Sequence, residues 1–180
     1  MQRKFIGAAT VAALSLGSFS AHAACSDPRT PAQQGVSKLM PHLMVMAPMG
    51  ESHSKGGKAS DDIVGTWHVS YTVEGAPFAE AFIQWHNDGT EWENANVPTL
   101  SGNICMGSWK PVDQRHVSRN HIGWLYTNGF LSGYFTETET DEVARDGNSY
   151  HGVNDQKIYD LNGKLQVEVT GTASATRISP

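Results

Sequence analysis

From Ile63 to Ile178 the chain runs as short segments in which apolar and polar residues alternate, separated at regular intervals by turn residues. This period of two is the feature that most restricts the fold. In Gly65–Val73, Trp67, Val69, Tyr71 and Val73 share one face. Successive side chains of a strand point to opposite faces, so the pattern predicts a half-buried sheet and not a helix. Further strands are predicted over 78–86, 90–94, 104–110, 115–118, 121–126, 130–140, 149–159 and 164–178. Asn87-Asp88-Gly89, Thr127-Asn128-Gly129, Arg145-Asp146-Gly147-Asn148 and Asp160-Leu161-Asn162-Gly163 supply hairpin turns between them. No amphipathic helix is predicted after residue 63. About eight to ten strands in one core make an all-β fold, either a closed antiparallel meander barrel or a sandwich.

The N-terminus follows other rules. Arg3 and Lys4 precede an uncharged, apolar run over 5–19, and Ala21-His22-Ala23 ends it with small residues at the −3 and −1 spacing. This predicts a signal peptide over 1–23, cleaved after Ala23, and hence a periplasmic or secreted protein. The run is too short for a transmembrane helix, which needs about 20 residues. Lipoprotein anchoring at Cys25 is the alternative, although His22 stands where a lipobox has a Leu-like residue. Of 13 basic residues, removal of Arg3 and Lys4 leaves 11 against 18 acidic ones, a formal charge of −7. Such a chain lacks the cations that neutralise phosphate, so neither nucleic acid nor an anionic lipid surface is an expected partner.

Residues 24–61 are predicted as a flexible arm of linker composition, interrupted by Leu39, Met40, Leu43, Met44, Val45, Met46 and Met49. That apolar patch suits a plug at a barrel mouth. The alternative is soft-metal (copper) binding by the thioethers with His42. The barrel domain proper is expected over 62–180. Cys25 and Cys105 are the two cysteines, and in an oxidising compartment the expectation is a Cys25–Cys105 disulfide.

Two features favour the barrel over the sandwich. Gly65-Thr66-Trp67 opens the first strand, and Arg177 stands near the end of the last. This combination resembles the calycin (lipocalin-like) superfamily, with Gly-x-Trp at the start of its barrel and a last-strand arginine across the tryptophan. The resemblance implies structural roles for Trp67 and Arg177, a guanidinium stacked on indole sealing the barrel floor. It covers roughly residues 63–178. It departs in lacking the mid-chain Thr-Asp-Tyr type of motif of many lipocalins and in showing little sign of their flanking C-terminal helix.

The densest polar cluster is Trp85-His86-Asn87-Asp88-Gly89-Thr90-Glu91-Trp92-Glu93. A histidine beside a carboxylate can serve as general acid or base, so His86 and Glu91 are the candidate catalytic pair. His116 and His121 could meet across a short loop, but histidines so placed are more often surface or satisfied core groups. Tyr71, Phe82, Gln84, Trp109, His121 and Tyr126 are candidate ligand-binding residues in a cup lined by rings and a few polar groups, Ser108 and Asn120 among the latter. There is no His-x-His pair, no nucleophile elbow of the Gly-x-Ser-x-Gly form and no phosphate loop, and no metal or cofactor is assigned. The expected function is binding of a small hydrophobic or aromatic molecule. The alternative is a cofactor-free isomerase, cyclase or lyase using acid–base chemistry in the same cavity.

Overall fold

The computed structural model describes residues 59–179. The signal peptide, Cys25 and the Met-containing patch lie outside the described residues. Eight strands close into an antiparallel meander barrel: β1 (Gly65–Val73), β2 (Ala76–Trp85), β3 (Thr90–Ala95), β4 (Ile104–Pro111), β5 (His116–Thr127), β6 (Phe130–Val143), β7 (Ser149–Asp160) and β8 (Leu165–Ile178). Each strand pairs with its successor, and β8 returns to pair with β1, so the described sheet has no free edge. The predicted strands 115–118 and 121–126 form one strand, β5, because Arg119 and Asn120 continue the ladder to β6.

The period of two sorts the residues into wall and interior. Trp67, Val69, Tyr71 and Val73 point inward, as the alternation predicts. On β2 the inward set is Ala81, Ile83 and Trp85, which stand beside Val69, Trp67 and Gly65 of β1. Phe82 and Gln84 therefore face outward, and the prediction that they line the cup is corrected. Phe82 instead lies against His68 on the outer surface, ring centroids 5.6 Å apart. Bulges at Tyr71/Thr72, Leu125/Tyr126 and Ile158/Tyr159 interrupt the register toward the far end of the barrel.

The floor, where β1 begins, is closed by a cation on an indole. The Arg177 guanidinium carbon sits 4.2 Å from the centre of the Trp67 ring. Its Nη1 donates to the Val64 carbonyl at 2.8 Å, its Nε to Gly147 at 2.6 Å and its Nη2 to Asp62. The glycine of Gly-x-Trp follows from this contact. A Cβ at Gly65 would lie 2.5 Å from Arg177 Nη1, and its φ of 139° is one that side-chain-bearing residues rarely adopt. Beneath lies a helical turn, α1 (Ala59–Asp62), within what the sequence predicts as flexible arm. Ala59 and Ile63 are buried there, and Ile63 accepts a 2.8 Å hydrogen bond from Trp67 Nε1.

Replacing Arg177 by Met keeps the stem and removes the guanidinium with its three carbonyl contacts. Urea denaturation should show a loss of about 2–4 kcal/mol, with Gly65→Ala also destabilising. A loss below about 0.5 kcal/mol for Arg177→Met would mean that the floor does not depend on this contact.

Candidate functional site

The middle of the barrel is polar. Glu91 and Glu93 of β3, Arg119 and His121 of β5, Glu137, Glu139 and Asp141 of β6, and Asn154 and Gln156 of β7 are all buried. They point inward for the same reason as the apolar residues flanking them. Phe135, Glu137, Glu139, Asp141 and Val143 occupy one face of β6, and the threonines between them take the outer face. Val117, Arg119, His121, Gly123 and Leu125 do the same on β5.

Strand register brings these groups together in rows around the barrel. One row runs Glu91, Gly107, His121, Glu137, Gln156 across β3 to β7. Gly107 is the enabling position, because a Cβ there would run into Glu91 Oε1 and the Asn120 carbonyl. With hydrogen in its place, Glu91 reaches over β4 to His121, and Oε1 lies 2.6 Å from Nδ1. The next row joins Trp109, Arg119, Glu139 and Asn154. Gly152 stands opposite Asp141, and a Cβ there would meet the carboxyls of Asp141 and Glu139.

Arg119 is the hub. Its Nη2 donates to Glu139 Oε2 at 2.5 Å and to Glu137 Oε1 at 2.8 Å. Its Nη1 lies 3.4 Å from Glu93 Oε2 and 3.7 Å from Glu91 Oε2. Tyr71 donates from its hydroxyl to Glu93 Oε2 at 2.6 Å. Below this layer Trp85 packs edge-on against both Trp109 and Tyr150, and Tyr150 against Trp67. The guanidinium carbon of Arg119 stands 5.7 Å from the Trp85 ring centre. Toward the far end the lining becomes apolar, with Val73, Phe78, Leu125 and Ile158.

Burial and charge pull these acids apart. Burial pushes Glu137 up to about 8, only partly opposed by Arg119. Burial, then the neighbouring Glu139 charge, raises Asp141 well above the ordinary carboxyl range. Glu139 is also penalised by burial, but Arg119 and the hydrogen bond from Asp141 outweigh this and lower it. Burial disfavours the Glu91 carboxylate too, yet His121 and Arg119 hold it below its usual value. His121 is its counterpart: burial opposes the charged ring, and Glu91 more than compensates, so its pKa is raised. Near neutral pH the interior thus holds proton donors and carboxylates side by side, a few ångströms apart and away from bulk water.

The candidate residues divide. Tyr71, Glu91, Trp109 and His121 are interior, whereas Phe82 and Gln84 are on the outer wall. Tyr126 is half-buried beside the β5 bulge, next to the inward Leu125. His86 lies in the β2–β3 turn, where its carbonyl accepts from Trp109 Nε1, and the imidazole on Glu91 is that of His121. His116 does not meet His121. The two share strand β5, and His116 bonds Asp113 at 2.8 Å outside the barrel. Ser108 and Asn120 likewise face outward, lining a groove of about 560 Å³ with Trp92, Met106 and Ile122. Sequence reasoning missed Arg119, Glu137, Glu139, Asp141, Asn154 and Gln156. The signal available was parity, since the β6 acids share their face with Phe135 and Val143.

Among the described residues, only Glu93, Cys105 and His121 form a group of three potential metal donors, their atoms within 4.8 Å of one another. Cys105 is not a free thiol, so this set lacks the thiolate a soft metal would use. Compared with known proteins, the chain matches no family model and no curated protein sequence.

The raised Glu137 gives a pH dependence with a definite sign. Its folded-state pKa exceeds the unfolded one, so the folded chain binds the extra proton and stability falls as pH rises from about 4.5 to about 8. Glu137→Gln should make the pH profile of unfolding free energy shallower by up to about 1.4 kcal/mol per pH unit in that window. An unchanged profile would show that this carboxyl titrates normally.

Proposed function

We propose that this chain is a calycin-like barrel that binds a small molecule in its interior and acts on it by acid–base chemistry without a cofactor. The observation that carries this reading is the row Glu91–His121–Glu137, on inward positions of β3, β5 and β6. In it an imidazole held by one carboxylate stands beside a second carboxyl that exchanges its proton near neutral pH. In this role Glu137 removes or returns a proton at carbon, His121 serves the second proton position, and Arg119 offsets negative charge developing on a substrate oxygen. Such a set suits isomerisation, cyclisation or elimination, each of which moves a proton. Passive carriage of a hydrophobic molecule takes second place, because an apolar cargo would leave buried polar atoms such as Arg119 Nε and both Asn154 side-chain atoms without partners.

Proton abstraction at carbon can be tested without knowing the substrate. A panel of small ketones, aldehydes and enones incubated with the protein in D₂O should include members that gain deuterium beside the carbonyl. His121→Gln and Glu137→Gln should each slow that exchange by about 100-fold or more while the circular dichroism spectrum is unchanged. Exchange absent across the panel, or indifferent to both substitutions, would remove the catalytic reading.

We further propose that the chain is exported and that Cys105, which is not a free thiol, pairs with Cys25. Intact mass of the purified protein should then rise by two hydrogens on reduction, and reduction should destabilise it by about 4 kcal/mol in the chain-entropy view of a long closed loop. An unchanged mass would exclude the pairing.

A further inference from the structure

The interior contains more acid than base. Five carboxyl groups, Glu91, Glu93, Glu137, Glu139 and Asp141, surround two cationic side chains, Arg119 and His121, and all seven are at most 3 % exposed. Fully ionised, the cluster would hold three uncompensated negative charges away from water, which no fold sustains. The excess must be neutralised by protons on the carboxyls or by a cation from outside.

A second observation, separate from the acids, points to the cation. Asn154 is fully buried, and neither its Nδ2 nor its Oδ1 has a hydrogen-bond partner. It stands directly across the β6–β7 ladder from Glu139. An unpartnered buried amide costs about 1–3 kcal/mol, so its place beside the Glu139–Asp141 pair calls for a polar group between them. The inward residues of adjoining β8 are small, Gly171, Ala173 and Ala175, and Gly152 of β7 leaves the space that the Asp141 and Glu139 carboxyls take. Beneath lie the rings of Trp67, Trp85, Trp109 and Tyr150.

We propose that the barrel interior takes a small organic ammonium, its N–H donors meeting Glu139, Asp141 and Asn154 and its carbon skeleton resting on the aromatic floor. Donor-poor carboxyl oxygens and an amide oxygen suit N⁺–H groups, and ring faces attract cations. A metal ion suits the place less well. The only three-donor group among the described residues includes Cys105 and excludes Glu139 and Asp141. An anion would meet the carboxyls directly. The inference rests on the interior being the functional site and names the class of molecule bound there.

Binding is coupled to protons. Facing the ammonium and one another are Tyr71 from β1, Glu91 and Glu93 from β3, Arg119 and His121 from β5, Glu137, Glu139 and Asp141 from β6, and Tyr150 from β7. Burial keeps Glu137 and Asp141 protonated in the free protein, and an incoming positive charge favours their ionised forms. A cation therefore displaces protons, and its affinity rises with pH until these carboxyls have ionised.

Isothermal titration calorimetry on the full exported chain tests this with 2-phenylethylammonium, neutral 2-phenylethanol, phenylacetate and calcium chloride. The expected result is binding of the ammonium alone. Its apparent enthalpy should vary with the ionisation enthalpy of the buffer, and its affinity should rise up to about tenfold per pH unit for each proton released. Asn154→Leu separates a ligand contact from a structural role. It removes an unpartnered buried amide at similar volume, so thermal stability should hold or rise while ammonium affinity falls at least about tenfold. The proposal is overturned by equal or tighter binding of the alcohol or the carboxylate, by binding of calcium alone, or by no ammonium binding up to about 10 mM. It is also overturned if Asn154→Leu leaves the affinity intact. Deuterium exchange on neutral ketones reports separately on catalysis: exchange without ammonium binding removes this inference alone, and ammonium binding without His121-dependent exchange removes only the catalytic reading.

Discussion

A guanidinium held away from water must be ringed by acceptors, and Arg119 meets this condition with carboxylates from both sides of the barrel wall. Glu137 and Glu139 come from the adjacent strand β6. Glu91 and Glu93 come from β3, one strand further away on the other side, and the glycine at position 107 in the intervening β4 leaves room for Glu91. The hub therefore ties together strands distant in sequence. It also determines which acids keep their charge: Glu139, in the shortest contact with Arg119, is held ionised, while Glu137 shares the same Nη2 and retains its proton to about 8.

The floor makes this chemistry possible without taking part in it. Arg177 and Trp67, with Ile63 beneath, close one end of the cylinder, so the charged layer is shielded by a stratum of rings. A low local dielectric strengthens every pairing above it and penalises every mismatch. The two arginine sites, Arg119 buried and Arg177 half-buried, divide the work. Arg177 spends its donors on backbone carbonyls and fixes geometry, whereas Arg119 spends its donors on groups that titrate.

Much of the architecture was legible because a period of two is written directly in the residues. Trp67, Val69, Tyr71 and Val73 announced both strand and face, and Gly65 and Arg177 announced how the barrel shuts. The site was legible only in part. Glu91 and His121 were singled out, but their partnership crosses a strand at a glycine, a coincidence of register that no local pattern records. Thr136 to Glu142 looks like a solvated edge, since alternating threonine and acid normally presents the acid to water. Its parity with Phe135 and Val143 reverses that reading. A break assumed at Arg119 and Asn120 likewise hid the hub, because a strand interrupted there no longer places Arg119 in phase with Val117 and His121.

The charge imbalance inside the barrel bears on stability as well as on binding. Well-packed apolar residues in place of a buried ionic network are often neutral or stabilising, so a barrel built for stability alone would fill this volume with leucine and phenylalanine. This chain does so at its floor, with Ile63, Trp67, Trp85 and Tyr150, and toward its far end, with Val73, Leu125, Phe135 and Ile158. At mid-height it maintains five acids, two bases and an amide whose bonding capacity is unmet from within. Buried polar groups without partners raise the energy of the fold, and packing alone does not recover that cost. Local rules of good packing are broken most often at functional sites, and the described interior breaks them along the band that holds His121, Glu137 and Asn154.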